Sequence, residues 1–210
     1  MVVSSEARLE IEDLHLWRGE RHLLRGVSLQ LQSGELLQVT GPNGVGKTSL
    51  LRCAADLLPI ESGQIRWKGT PLEQGREQYH RDLAYLAHSN ALKADLTALE
   101  NLKFGVGVRR QISASDILVV LERLKILHCA DLPVRSLSAG QKRRVAIARI
   151  FLTQASLWIL DEPITNLDAD GVCLFEEFMD AHLAAGGMIL TAAHQLLLSG
   201  RDQVRTLELN

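Results

Sequence analysis

The segment from Gly41 to Thr48 has the spacing G-x-x-x-x-G-K-T, which suits a loop that binds phosphate. Its glycines lack Cβ atoms, so backbone N–H groups can close around phosphate oxygens. Lys47 adds a point charge for the β- and γ-phosphates, and the Thr48 hydroxyl can ligate Mg²⁺. The alternative is a glycine-rich connection without a ligand. We predict a triphosphate site made of Gly41, Pro42, Asn43, Gly44, Val45, Gly46, Lys47, Thr48 and Ser49.

Two adjacent acidic residues, Asp161 and Glu162, directly follow the apolar run SLWIL and are further candidates for chemistry. In an open α/β sheet, ligands bind beyond the carboxyl ends of the strands, and this pair has that position. Phosphoryl transfer needs positioning, charge neutralisation and an oriented nucleophile. We therefore expect Asp161 to hold the hydration shell of Mg²⁺ and Glu162 to accept a proton from the attacking water. A solvated acidic turn is the alternative.

The segment LSAGQKRR opens a predicted helix with small residues and then cations. This is unexpected, because the N-terminus of a helix already carries partial positive charge. Ser138 and Gln141 fit a capping box. Ala139 and Gly140 also leave room for a phosphate, to which Ser138 would donate a hydrogen bond. The two interpretations are compatible. For most of the cations at 142–144 we favour a solvated face over a contact near a bound phosphate.

The apolar pattern predicts the elements that would position these groups. Alternating strand-like segments precede the phosphate loop, and the helical pattern KTSLLRCAADLL overlaps its end and continues beyond it. The pattern is helical from about 97 to 150, and the apolar strands SLWIL and GGMILTAA come later. Buried strands that alternate with helices predict an α/β fold with a largely parallel, doubly wound sheet. The helical middle, at about 89–152, reads as a subdomain inserted into one domain.

Composition narrows the classes of protein. The 210 residues suit one domain with a subdomain, and a net charge of −2 gives no basic footprint for nucleic acid. Three widely spaced cysteines, without a CxxC pair, indicate reduced and buried thiols. The start of the chain has acids where a signal peptide would be apolar, and no apolar run approaches the roughly 18 residues of a membrane span. We expect a soluble protein that serves a membrane only through a partner.

The segments GPNGVGKTSL, LSAGQKRRVAIAR and LWILDEPITNLD, in this order, resemble the ATP-binding-cassette (ABC) ATPase family over essentially the whole chain. The resemblance implies a P-loop NTPase fold, one nucleotide-binding domain over 1–210, and ATP and Mg²⁺ as ligands. In that family the signature segment, here Ser138, Ala139, Gly140 and Gln141, faces the nucleotide on the phosphate loop of a second domain. One phosphate loop and one signature segment therefore imply a head-to-tail homodimer with two composite sites.

Four further positions acquire roles only through this resemblance. His194 matches the switch histidine that reads the γ-phosphate, and Asp168 in TNLD matches the aspartate of the D-loop. His88 stands where the family usually has the glutamine of the Q-loop, so its contact with the metal stays open. Either Trp17 or Arg18 would stack on adenine.

Several short segments, among them DLTALENL and GGMILTAAHQ, resemble one branch of the family, the ATP-binding subunits of the haem exporter complex in bacterial cytochrome c maturation. That branch implies ATP hydrolysis that energises haem export or delivery. It also implies a CcmB-like membrane subunit, a CcmC-like haem-handling protein and a peripheral position on the cytoplasmic side of the inner membrane.

Three alternatives remain. The same ATPase would serve an exporter of another substrate, or a soluble ABC protein would act on nucleic acid, or a nucleotide switch would not hydrolyse ATP. The sequence has no second cassette, long coiled coil or zinc motif, which disfavours the nucleic-acid alternative. The presence of Asp161, Glu162 and His194 together disfavours the switch.

Overall fold

The computed structural model describes residues 8–201 and 203–210; the acidic segment that argues against a signal peptide begins outside the described residues. The strands are β1 (Arg8–Arg18), β2 (Arg21–Gln32), β3 (Leu36–Thr40), β4 (Ser62–Trp67), β5 (Thr70–Pro71), β6 (Leu83–Leu86), β7 (Leu157–Asp161), β8 (Met188–Ala192) and β9 (Val204–Glu208). One sheet is antiparallel, with the strand order β2, β1, β4 and β5. The other is parallel, with the strand order β6, β7, β8, β3 and β9.

Three helices, α3 to α5, fill the stretch that the sequence predicts to be helical, and they pack against one another. The assignment of 89–152 to a separate subdomain stays a prediction. The helices are α1 (Lys47–Ala54), α2 (Leu72–Asp82), α3 (Ala98–Gly107), α4 (Ala114–Arg123), α5 (Ala139–Thr153) and α6 (Ala169–Ala184), with short 3-10 turns at Leu127–Cys129 and Val134–Ser136.

Two apolar cores lie on opposite faces of the parallel sheet. Trp158 and Leu160 of β7 join the core that contains α3 to α6, whereas Ile159 joins the core formed with α1 and the antiparallel sheet. Every residue of β7 and β8 is buried, which is typical of parallel strands covered on both faces. The predicted α/β fold with a largely parallel sheet is confirmed.

Each of the three α-helices that follow β6 and precede β7 in the chain begins with a capping box. Thr97, Ser113 and Ser138 each accept a hydrogen bond from the backbone N–H three residues on, and the side chain there accepts one back. Each box satisfies two backbone donors that a helix N-terminus otherwise leaves unpaired. The start of α5, which carries the LSAGQ segment, is therefore fixed by local chemistry.

The cysteines are free thiols, and their environments differ. Cys53 and Cys129 are buried, as the sequence suggests, but Cys173 is exposed, so the expectation of a buried thiol is wrong there. The buried stripe of α6 runs through residues 171, 175, 179 and 183, and Cys173 lies on the other side of the helix.

In the described ranges, no helix has both the length and the apolar character to cross a membrane.

His182, near the end of α6, packs flat on Trp158 with 3.8 Å between the ring centroids. A Cβ at Gly187 would collide with the imidazole, so the absence of a side chain there leaves room for the ring. Burial lowers the pKa of His182 to about 4. In the unfolded chain the ring titrates at its ordinary value, 6.5.

We predict that the free energy of unfolding falls as the pH drops from 6.5 to 4. In that interval the unfolded chain takes up a proton at His182 that the folded chain does not, and the loss reaches at most about 3 kcal/mol. His182→Phe keeps a ring on Trp158 but cannot titrate, so its stability profile should be flatter. Urea unfolding of both proteins from pH 7 to pH 4 measures the difference, and parallel profiles would contradict the prediction.

Candidate functional site

The phosphate loop connects the end of β3 to Lys47, the first residue of α1. Gly41 has φ +133° and Gly46 has φ +118°, conformations that side chains rarely adopt. A Cβ at Gly41 would collide with the carbonyl oxygen of Leu209, and one at Gly46 would lie 2.8 Å from a methyl of Leu24. The fold therefore requires these two glycines for packing as well as for the path of the loop.

The ammonium of Lys47 lies against its own loop. Its Nζ donates to the carbonyl oxygens of Gly41 at 2.7 Å and Pro42 at 3.0 Å. The positive charge is thus held at the N-terminus of α1, where the helix dipole also favours an anion. An incoming phosphate would meet an ordered cation beside the open backbone N–H groups.

A cleft of about 450 Å³ opens over the loop. It brings together six of the nine predicted phosphate-loop residues, Arg18, and both predicted catalytic residues that lie outside the loop. The lining residues are Arg18, Arg21, Leu23, Asn43, Gly44, Gly46, Lys47, Thr48, Ser49, His88, Glu162 and His194.

The hairpin of β1 and β2 places Arg18 and Trp17 differently. Arg18 pairs with Arg21 across the strands, and both line the cleft. Trp17, one residue earlier, stacks on His22 with 4.3 Å between the ring centroids and 8° between the planes. Since successive residues of a strand point to opposite faces, the geometry favours Arg18 over Trp17 for contact with a base.

Thr48 and Asp161 form the centre of the predicted metal site. The Thr48 hydroxyl donates to Asp161 Oδ1 at 3.1 Å. Asp161 is 2% exposed, and its Oδ2 is buried without a hydrogen-bond partner among the residues that the structure describes. Burial raises the pKa of Asp161, and the hydrogen bond from Thr48 opposes that shift. A hydroxyl beside a buried carboxylate oxygen with an unused lone pair suits a hard cation such as Mg²⁺.

His88 follows β6 and is exposed at the rim of the same cleft. Its charge, when protonated, lowers the pKa of Asp161, so the two side chains lie within electrostatic reach of each other. Contact between His88 and a metal stays a prediction.

Glu162 and His194 follow neighbouring strands, β7 and β8, and they face each other. His194 Nε2 lies 3.6 Å from Glu162 Oε1. The Glu162 side chain is 13% exposed and that of His194 is 69% exposed. Glu162 has φ +48°, and its N–H donates to the carbonyl of Ala192 at 2.8 Å. A partly desolvated carboxylate thus points toward the phosphate loop from a backbone conformation that the neighbouring strand holds.

Gln38 orders the loop that carries His194, and no motif in the sequence indicated this role. Gln38 is fully buried in β3, and its amide donates to the carbonyls of Ala193 at 3.2 Å and Gln195 at 2.9 Å. Its Oε1 accepts from the N–H of Leu197 at 3.1 Å. One side chain therefore holds the backbone on both sides of His194. A polar residue inside the otherwise apolar ELLQV segment was the available signal.

The LSAGQ segment forms the predicted capping box. Ser138 Oγ accepts from the N–H of Gln141 at 3.2 Å, and Gln141 Oε1 accepts from the N–H of Ser138 at 2.9 Å. Because Ser138 Oγ acts as the acceptor in the bond from Gln141, its own O–H proton is free to donate outward. A Cβ at Gly140 would lie 2.9 Å from the carbonyl of Asn166, so the lack of a side chain there has a reason inside the fold. Ala139 is exposed.

The signature residues line a second cleft of about 420 Å³. Ser138, Gly140, Gln141 and Asp168 meet there, and none of the residues that line this cleft lines the phosphate-loop cleft. Asp168 caps α6 by accepting from the N–H of Gly171 at 2.9 Å. The two sets of predicted nucleotide residues thus lie apart within one chain.

The expected solvated face for the cations at 142–144 is wrong for two of the three. Arg143 is 1% exposed and donates to backbone carbonyls. Arg144 has a side chain that is 12% exposed, and it bridges the Asp168 carboxylate and the carbonyl of Leu124. A guanidinium has five N–H donors and can be buried where carbonyls converge, which charge clustering in the sequence does not reveal.

Comparison with known proteins gives consistent matches. The ABC transporter family model matches residues 24–165. The cytochrome c biogenesis ATP-binding export protein CcmA of Salmonella typhi is 44% identical over 204 residues, which cover 96% of each chain. The protein of the same name from Vibrio cholerae serotype O1 is 41% identical over 202 residues, covering 96% of this chain and 98% of the relative.

Solved structures agree with the fold. The structure of an ATP-binding subunit of an ABC transporter has a TM-score of 0.86 at 27% identity, covering 96% of this chain and 85% of the other. An ATP-binding cassette of an ABC transporter in its ADP conformation has a TM-score of 0.75 at 24% identity, covering 90% and 82%.

We predict that Gln38→Leu loosens the loop around His194. The substitution leaves two carbonyls and one N–H without their partner, which should cost about 1–3 kcal/mol of stability. Hydrogen exchange should show faster exchange at the Leu197 amide, while amides in α6 change less. Gln30→Leu, at an exposed position of β2, is the matched control. Equal protection of Leu197 in both variants would contradict the prediction.

Proposed function

The chain belongs to the ABC transporter family, within which it groups with cytochrome c biogenesis ATP-binding export proteins; from this premise we propose that it hydrolyses ATP to energise haem export or delivery in c-type cytochrome maturation. The observation that carries the ATPase role is that Glu162 and His194 lie in the same cleft as the phosphate loop.

ATP binding uses groups that are already ordered. The triphosphate lies along the N–H groups of the loop, and Lys47 exchanges its two carbonyl partners for β- and γ-phosphate oxygens. Arg18 stacks on the adenine, since a planar guanidinium can cover a ring as an aromatic side chain does. Arg21, beside Arg18 in the cleft, adds positive charge toward the phosphates.

Hydrolysis requires a base and a group that senses the γ-phosphate. Glu162 orients the attacking water and accepts its proton, while His194 donates a hydrogen bond to a γ-phosphate oxygen. Thr48 and Asp161 would hold Mg²⁺, with His88 as a further candidate ligand, and the bound ion would supply charge neutralisation at the phosphates. The 3.6 Å separation between His194 Nε2 and Glu162 Oε1 supports joint action on one phosphate.

A second copy of the chain completes each site. The signature cleft and the phosphate-loop cleft share no lining residue, so one chain offers two different half-sites. In the proposed homodimer the free O–H of Ser138 donates to the γ-phosphate on the partner's loop, assisted by the dipole of α5. Ala139, Gly140 and Gln141 line the same approach, and Asp168 faces the partner beside them.

The complex includes membrane subunits, and we propose a CcmB-like subunit and a CcmC-like haem-handling protein on the inner membrane, with this chain peripheral on the cytoplasmic side. The names of the relatives, which join export to cytochrome c biogenesis, support this proposal. Phe104 on α3 is 58% exposed, with Lys93 Nζ 4.3 Å from its ring centroid, and this surface suits an apolar helix of the membrane subunit.

The composite site predicts a recovery of activity on mixing. Lys47→Ala removes the phosphate-loop half-site and Ser138→Arg removes the signature half-site, so each variant alone should be inactive. A mixed dimer regains one complete site, and an equal mixture should reach up to about a quarter of the wild-type ATPase rate. The control pairs Lys47→Ala with a variant that carries both substitutions. Absence of recovery, with both variants folded, would contradict the two-chain site.

The pathway assignment predicts complementation. In a bacterium that lacks its own relative of this chain, the wild-type chain, expressed with the host's membrane subunits, should restore covalent haem in c-type cytochromes. Glu162→Gln should fail to do so, with ATP turnover at least about 100-fold lower. Turnover that depends on Glu162 without restored cytochromes would point to an exporter of another substrate.

A further inference from the structure

Arg143 is buried behind the catalytic strand end, and its side chain holds three successive backbone carbonyls. Nε–H donates to the carbonyl of Pro163 at 2.8 Å, and Nη2 donates to those of Asp161 at 3.2 Å and Glu162 at 2.6 Å. These residues lead away from the end of β7 into the turn where Glu162 has φ +48°. A left-handed conformation costs free energy at a residue with a side chain, and the hydrogen bonds from the guanidinium help to hold Glu162 in it.

The same side chain reaches the segment that carries His88. Nη1 donates to the carbonyl of Ala87 at 2.9 Å and to Asn90 Oδ1 at 3.0 Å, on either side of His88. All five N–H donors of Arg143 thus have acceptors. One rigid planar group ties together the two segments that face each other across the cleft, those of Glu162 and His88.

Burial lowers the pKa of Arg143 to about 10, and the nearby charges of Asp161 and Glu162 oppose that shift. The side chain is therefore a cation near neutral pH. No other residue type supplies five donors in a fixed plane: lysine has three donors on one atom and cannot span both segments.

We propose that Arg143 is a positioning residue of the ATPase, which sets the distance between the Glu162 segment and the His88 segment. The proposal rests on the proposed function. Arg143 lies in α5, whose first turn is capped by Ser138, so the signature segment and the catalytic turn of one chain are joined through this side chain.

The test compares Arg143→Lys with Arg149→Lys. Arg149 lies on the same helix, is partly buried and has a pKa lowered by burial, but within the described part of the chain it donates only to the carbonyl of Ala91, at 3.4 Å. For Arg143→Lys we expect kcat for ATP to fall at least about 10-fold with KM within about threefold of wild type, because misplacement of Glu162 affects the transition state more than binding. Arg149→Lys should keep both parameters within about threefold.

A double-mutant cycle separates positioning from a general loss of structure. If Arg143 acts through Glu162, Arg143→Lys should add little to the defect of Glu162→Gln in single-turnover hydrolysis. Unchanged kcat in folded Arg143→Lys, or a full additive loss in the Glu162→Gln background, would overturn the proposal. If Glu162→Gln itself kept wild-type turnover, the proposed function would fail instead, so the two failures are distinguishable.

A milder variant covers the case in which Arg143→Lys does not fold. Asn90→Ala removes one of the two acceptors at Nη1 and leaves the guanidinium and its four carbonyl partners in place. We expect kcat to fall about three- to tenfold with KM nearly unchanged. A kcat equal to that of wild type would overturn the role of Arg143 in spanning the two segments.

Discussion

Four neighbouring parallel strands end at one edge of the sheet, and the chemistry of the chain depends on that alignment. In the order β6, β7, β8 and β3, they lead into His88, the Asp161–Glu162 pair, His194 and the phosphate loop. Parallel pairing puts the carboxyl ends side by side, so residues that are far apart in the sequence reach one cleft. The register pairs Asp161 with Ala192, which brings Glu162 opposite the loop of His194. The apolar cores on both faces hold this register, since a slip of one residue would turn buried side chains outward.

Buried polar side chains refine what the sheet positions only roughly. Gln38 fastens the turn after β8, and Arg143 fastens the turns after β6 and β7. Gln38 binds backbone groups, and four of the five acceptors of Arg143 are backbone carbonyls, the fifth being Asn90 Oδ1. Each side chain therefore specifies the path of a loop. A buried polar group that is fully paired is compatible with stability, whereas removal of one partner leaves unsatisfied atoms. The carboxyl edge of the sheet therefore combines the proposed reactive side chains with a buried frame of fully paired polar groups.

Local patterns in the sequence revealed the phosphate loop, the Asp161 strand end and the cap at Ser138, because each joins a few adjacent residues to a known geometry. Arg143 and Gln38 escaped detection because their partners lie 18 to 56 and 155 to 159 residues away, respectively. The preference for Arg18 over Trp17 as the residue that contacts adenine depends on which face of β1 meets the cleft, and that face follows from the pairing of β1 with β2, which the sequence pattern does not give. The sequence pattern did not predict α2 or α6. In α2 only Leu72 and Tyr79 are buried, so its sequence shows no clear helical period.

In the proposed dimer, where clefts of different copies combine, the rate of ATP hydrolysis reports assembly. A single copy would then lack a complete site, and the ATPase rate of a dilute preparation would grow with the square of the protein concentration rather than in proportion to it. A scaffold that gathers two copies raises their effective concentration and starts hydrolysis without touching the reacting groups. In the proposed dimer, copies that are not assembled would therefore hydrolyse little ATP, because neither of their clefts forms a complete site.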